Sequence, residues 1–347
     1  MKHDNPKGGP KGGLGRRAVL KGAGTLVAGA VASPFIWRFD RAFAAWPNDK
    51  AVKLIVANTP GGPSDISARF VAPILQEAFP GSTFIVENRP GGGGNIGMLA
   101  AARAEPDGYT LHISTGIYVM APSLYEPPPY DWQTALTPVA EIGSSPSVFA
   151  VQPSLGVKTL KEAVALAKKD QSKFNIGSPP IGSTLYLGAE LIKIREKLKD
   201  VAIVLHSGGG QTVQGLLSGT VQMISSSLAP AHAHIKAGTL QGLAILGPKR
   251  WHDLPDMPTS KEAGYDDFNF ETTTGLLAPG KTPPELIAKM EKAVVEGLRR
   301  PEMSKKIVNA GFFVEAKGAK EHGERLQREY KQFRDVIKQA GLKPKQL

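Results

Sequence analysis

A chain of 347 residues with 41% hydrophobic content is long enough for two domains, each with its own core. It has no cysteine, which excludes disulfides, thiolate nucleophiles, cysteine-held zinc and iron–sulfur clusters. The net charge of +11 is concentrated at one end: Met1 to Ala44 holds eight Lys or Arg and two Asp, which leaves +5 on the remainder, with no basic stretch interleaved with aromatics to mark a nucleic-acid partner.

At the N-terminus, Gly15-Arg16-Arg17-Ala18-Val19-Leu20-Lys21 looks like a twin-arginine export motif. Gly22 to Trp37 follows as a modestly apolar stretch, too short and too rich in Gly and Ala for a membrane span. Ala42-Phe43-Ala44 fits a small-x-small cleavage pattern. Residues 1–45 therefore read as a signal peptide cleaved near Ala44 or Ala45, and the mature protein as periplasmic and exported already folded.

Val52–Ala57 reads as a largely buried strand, and Ile66, Phe70, Val71, Ile74 and Leu75 recur at helical spacing after it. Between them lies Thr59-Pro60-Gly61-Gly62-Pro63-Ser64-Asp65. Glycines leave the backbone bare, and a helix start presents unpaired N–H groups and a partial positive charge, a setting for a carboxylate or a phosphate. An ordinary strand-to-helix turn has the same composition.

Further strands are expected at Thr83–Glu87, Thr110–Ser114, Val148–Val151, Phe174–Gly177, Ala202–Leu205, Val221–Ser225 and Gly242–Leu246. Helices are expected at Ser64–Ala78, Asn95–Ala104, Leu160–Lys169, Thr184–Lys197, Gln211–Ser218, Pro284–Arg300, Met303–Ala310 and Ala319–Ala340. Thr282-Pro283-Pro284-Glu285 offers the last long helix but two a cap, prolines at its start and an early acid. The alternation argues for an α/β class with mainly parallel strands. His232 and His234 would share a face if their segment were a strand, but no third metal ligand stands nearby, so structural histidines are the better reading. Gly92-x-Gly94-x-x-Gly97 formally satisfies a dinucleotide fingerprint and keeps open an exported nucleotide-dependent oxidoreductase. Arg89-Pro90 intervenes, however, and no second strand ends in an acid at the required distance. No Gly-x-Ser-x-Gly or His-Glu-x-x-His pattern occurs.

The glycine turn has company. Glu87-Asn88-Arg89-Pro90-Gly91-Gly92-Gly93-Gly94-Asn95-Ile96-Gly97, Pro106-Asp107-Gly108-Tyr109-Thr110, His234-Ile235-Lys236-Ala237-Gly238-Thr239-Leu240, Leu254-Pro255-Asp256-Met257-Pro258-Thr259 and Glu262-Ala263-Gly264 follow it in order. Together, from about Trp46 onward, the set resembles the Bug family, the periplasmic solute receptors of tripartite tricarboxylate transporters.

The resemblance implies a two-lobed, type II-like periplasmic binding fold: two α/β domains joined by two crossing hinge strands, within Val139–Val151 and Phe268–Gly280. Lobe one would be 46–144 plus 270–347, and lobe two 145–269. The ligand would be a small carboxylate (di-, tri- or aromatic) held between the lobes, chiefly by backbone amides of two glycine loops. On the first lobe the matching positions are Gly61, Gly62, Ser64 and Asp65, with Ser114 and Thr115 adding hydroxyls. Asp65 cannot attract a carboxylate; its expected work is to accept backbone N–H bonds or cap the helix. At the crossing and on the second lobe they are Ser147, Ser178, Ser183, Thr184, His206, Gly208, Gly209 and Ser226. His206 stands where relatives commonly carry Tyr and is expected to donate to a ligand oxygen. Ser226 replaces a usual Asp, which favours a ligand without an amine, and Thr273 and Thr274 replace aromatics before the hinge glycine. Asn95 is expected to cap the helix after it. No cofactor, metal or catalytic group is implied. The expected partners are the membrane components of the transporter, or a sensor kinase, with the receptor itself a monomer.

Overall fold

The computed structural model describes residues 46–266, 268–339 and 345–346; the export motif and cleavage site lie outside them. In chain order the elements are β1 (Val52–Val56), α1 (Pro63–Ala78), β2 (Phe84–Asn88), α2 (Asn95–Ala102), β3 (Thr110–Ser114), α3 (Ile117–Leu124), β4 (Tyr125–Glu126), α4 (Trp132–Ala135) and β5 (Leu136–Val151). Then come α5 (Leu160–Lys169), β6 (Asn175–Ser178), α6 (Thr184–Glu196), β7 (Ala202–Leu205), α7 (Gly209–Leu217), β8 (Met223–Ser227), α8 (Leu228–Lys236) and β9 (Gln241–Leu246). The chain closes with β10 (Glu271–Pro279), α9 (Pro284–Arg299), α10 (Pro301–Asn309), β11 (Phe313–Gly318), α11 (Ala319–Gln339) and β12 (Lys345–Gln346).

Local chemistry explains several boundaries. Thr159 and Glu162 form a reciprocal capping box at α5, and Ser183 accepts the Tyr186 amide at the head of α6. Pro63 and Pro284 occupy first-turn positions, where a missing N–H costs nothing. Two expected caps are not made. Thr282 donates instead to Pro279 O at 2.7 Å, and Pro283 precedes α9. Gly94, not Asn95, precedes α2, because the positive φ of 97° at that turn suits glycine; the Asn95 side chain is buried.

The strands are not mainly parallel. β1 pairs in parallel with β2 and β3, and β6 with β7 and β8, but β5 and β10 run antiparallel to their neighbours. The reason is the path of the chain. β5, sixteen residues long, serves both groups of strands: Leu136–Pro146 pairs with β10, and Ser147–Val151 pairs with β8 and β9. β10 brings the chain back beside it in the opposite direction. The two crossings lie side by side, with the Ser147 amide donating to Phe270 O at 2.9 Å.

Each group has its own core. Around Phe149, Ile176, Ala189 and Phe268 a cluster fills one face of the β6–β8 group, and Val148, Val213, Ile224 and Trp251 fill the other. Ile55, Tyr118, Leu277 and Phe333 belong to a cluster on the β1–β3 side. Residues 228–236 form a helix rather than a strand, since Leu228, Ala231 and His232 are buried at helical spacing. His232 bonds Asp253 at 2.9 Å, whereas His234 meets Thr239. Among the described residues no helix is long and apolar enough to cross a membrane.

Candidate ligand cleft

The first glycine loop is held from within. Gly61 adopts a φ of 82°, in the left-handed region that glycine enters without strain. Its N–H donates to Asp65 Oδ2 at 2.9 Å. Arg69 donates to both Asp65 oxygens at 3.0 Å, and Asn88 Nδ2 reaches Asp65 Oδ1 at 3.1 Å and Asn58 O at 3.0 Å. Asn58 Nδ2 in turn donates to Ser64 Oγ at 3.2 Å. The side chains of Ser64 and Asp65 thus fix the loop. The amides at the head of α1 carry no side-chain cap and have no intrahelical acceptor.

Burial pushes the Asp65 carboxyl up, but hydrogen bonds from Arg69, Gly61 and Asn88 outweigh it and hold the carboxyl below its usual value. A depressed folded pKa stabilises the protein above the unfolded value near 3.9, and this contribution is lost as pH falls through the folded value. Asp65→Asn is expected to lower unfolding free energy at pH 7 by about 2–3 kcal/mol, the scale for leaving buried donors badly paired. Denaturant titration checks this; a loss below about 0.5 kcal/mol, the scale of a neutral surface change, would show that the carboxylate does not organise the loop.

The second glycine loop has the same construction. α7 begins at Gly209 behind Gly208, whose extended backbone carries no side-chain cap. The two helix heads face each other across the crossing strands. Thr59 N approaches Ser207 O at 3.5 Å. A methyl group added at Gly62 would lie 3.5 Å from Gly209 N, and one added at Gly210 only 2.7 Å from Pro60 O. Glycine against glycine is what lets two backbones come this close.

Between the heads is a cavity of about 30 Å³, close to the share of a single water in the liquid. A dicarboxylate therefore enters only when the walls move. The cavity is lined by Asn58, Pro63, Thr115, Gly116 and Ile117 of the first part of the chain, by Pro179, Ser183, Thr184, Leu185, Gly208 and Gly209 of the middle part, and by Thr272 of β10.

The structure brings together most of the expected loop residues. Thr115, Ser183, Thr184, Gly208 and Gly209 line the cavity, and Gly61, Gly62, Ser64 and Asp65 build the loop beside it. Ser183 spends its hydroxyl on Pro180 O and the Tyr186 amide. Other expected residues lie elsewhere. Ser114, Ser147, Ser178 and Ser226 are buried in strands outside the lining. Ser226 stands opposite Val148, on the face packed beneath α7 and α8. His206 turns inward: methyls added at Gly215 and Gly177 would lie 2.5 Å from its Nε2 and 3.3 Å from its Cε1. Burial there depresses its pKa. Thr273 and Thr274 donate to Glu329 Oε1 at 2.7 Å and Gly143 O at 3.1 Å. Asn58, Ile117 and Leu185 were not singled out by the sequence. All three adjoin stretches that were, so position relative to the motif was the available signal.

Residues 68–342 match the family described as "Tripartite tricarboxylate transporter family receptor". Protein BugT of Bordetella pertussis is 32% identical over 263 residues, covering 75% of this chain and 79% of that one. The periplasmic binding protein BugD superposes with a TM-score of 0.82 at 26% identity, covering 86% of this chain and 99% of that one. An R. palustris protein solved with adipate superposes with a TM-score of 0.82 at 28% identity, covering 86% and 100%.

Proposed function

Since this chain belongs to the tripartite tricarboxylate transporter receptor family, a family of periplasmic solute-binding proteins, we propose that it captures a small di-, tri- or aromatic carboxylate between its lobes and delivers it to the membrane components of such a transporter. The observation that carries the reading is the pair of uncapped, glycine-led helix heads meeting across one cavity. Amides without acceptors and the positive ends of two helix dipoles together favour a carboxylate. The similar protein solved with adipate supports the ligand class. Binding of this kind requires no catalytic group.

In this reading lobe one is 46–144 plus 270–347 and lobe two 145–269, with the hinge where β5 and β10 cross. Both lobes contribute donors, so ligand favours the closed arrangement over the open one. The chain reaches the periplasm by the twin-arginine route and is cleaved near Ala44 or Ala45. A thermal-shift screen tests the proposal: a carboxylate at a hundred times its Kd adds about 2.7 kcal/mol, roughly 4 °C for a protein of this size. No shift with any di-, tri- or aromatic carboxylate would refute it.

A further inference from the structure

The small cavity between the helix heads has a larger neighbour, a space of about 290 Å³ bounded by Glu271 of β10 and by Arg325, Arg328, Glu329 and Phe333 of α11. The wall between them is thin. Thr184, at the head of α6, lines both spaces. Its Oγ1 lies 3.5 Å from that of Thr272, which lines the small cavity. Phe333 lines the large one and covers Gly116, which lines the small one. A methyl added at Gly116 would lie 3.3 Å from Phe333 Cε2 and 3.8 Å from Thr184 Cγ2. Phe333, Thr184 and Thr272 thus form a partition about one side chain thick.

Of the three, Phe333 supplies most of the bulk. It is buried, and belongs on one side to the core cluster of Tyr118 and Leu187; on the other it borders the large cavity. The two threonines are short and held on regular backbone, so they close little of the gap alone. The space behind the ring does not repel an acid. Its lining sets Arg325 and Arg328 against Glu271 and Glu329, a net charge of zero. Arg325 is engaged by both glutamates, whereas Arg328, at the exposed rim, makes no ion pair with another described residue. What separates a long acid from this space is the ring itself.

Resting on the carboxylate reading above, we propose that Phe333 is a specificity-determining residue that limits the length of the dicarboxylate this protein accepts. With one carboxylate seated on the helix heads, an acid short enough to end at the ring is enclosed, and a longer one meets the ring before it reaches the large cavity. Discrimination of this kind works by a clash built against the competitor. One methylene too many in a closed pocket costs about 10- to 200-fold in affinity. Shortening the side chain at position 333 joins the two spaces and lets the tail of a long acid approach Arg328.

Calorimetric titration of the straight-chain dicarboxylates from succinate to suberate tests this. The native protein should bind succinate at least tenfold more tightly than suberate. Phe333→Ala should reduce that ratio at least fivefold, and Phe333→Leu, which keeps more of the core packing, by a smaller factor. Loss of packing alone weakens every acid alike and leaves the ratio where it was, so the ratio separates a length limit from a structural role. A native preference below tenfold overturns the inference, and so does a ratio that falls less than fivefold in Phe333→Ala. If the alanine variant does not fold, a ratio unchanged in Phe333→Leu overturns it; if neither folds, the native series alone decides. Failure of every dicarboxylate to bind also overturns it, while the carboxylate reading then stands or falls with the tricarboxylic and aromatic acids of the thermal-shift screen.

Discussion

Gly210→Ala should weaken carboxylate binding while leaving the fold as stable as before or slightly more so. The added methyl would lie 2.7 Å from Pro60 O and 3.1 Å from the Gly61 carbonyl carbon, both on the opposite loop. These atoms meet only when the helix heads are together. The residue sits in the first turn of α7, and its φ is not in the region that demands glycine. Alanine there loses less chain entropy on folding, by at most about 0.5–1 kcal/mol. Overpacking in the closed arrangement costs about 1–3 kcal/mol, which is roughly 5- to 150-fold in Kd. Titration calorimetry and denaturant unfolding of the ligand-free protein separate the two effects. An unchanged Kd would mean that ligand does not require the loops to meet. Weaker binding accompanied by a lower folding stability would instead place the glycine in the core of one lobe.

Acidification should destabilise the protein well above the range where carboxylates titrate. His112 of β3 is 2% exposed, with Nδ1 3.0 Å from Ile55 O, and burial pushes its pKa down to about 4. His322 of α11 is 1% exposed and lies against Gly275 of β10, where an added methyl would come within 2.1 Å of Nε2. Burial, then the charges of Arg325 and Lys317, push its pKa down to about 3. In the unfolded chain both titrate near 6.5. Below that pH the unfolded chain takes up protons that the folded chain refuses, so stability falls as pH drops from 6.5 toward 4. Two such groups remove roughly 3 kcal/mol between pH 7 and pH 5. Glu141, raised by burial, works in the opposite sense. Urea midpoints at the two pH values check the expectation, and His322→Gln should reduce the slope by about one proton. A midpoint that stays level over this interval would show that both imidazoles reach solvent.

Much of the fold is legible in the chain because it depends on nearby residues. The spacing of Ile66, Phe70 and Ile74 specifies a helix, and Val52–Val56 a buried strand, wherever they end up. The capping box at Thr159 and the glycine turn at Gly61 are equally local. β11 escaped notice because Phe313–Gly318 is half-buried and lacks clear alternation, and α3 because Pro122 interrupts its helical pattern. The direction of β5 and β10 escaped because local pattern records a strand but not its sense.

By itself, the sequence determined two glycine-led helix starts, each with bare amides and each set behind a strand, together with an ordered set of family motifs. Only the tertiary structure decided that these two starts meet, that His206 turns away from them, and that Glu329 comes from the far end of the chain to Thr273 of β10. The reason is physical. Backbone conformation answers to neighbours within a few residues, whereas the contact of Gly62 with Gly209, or of Thr273 with Glu329, depends on how two cores pack across the crossing strands, and no periodicity in the sequence encodes that.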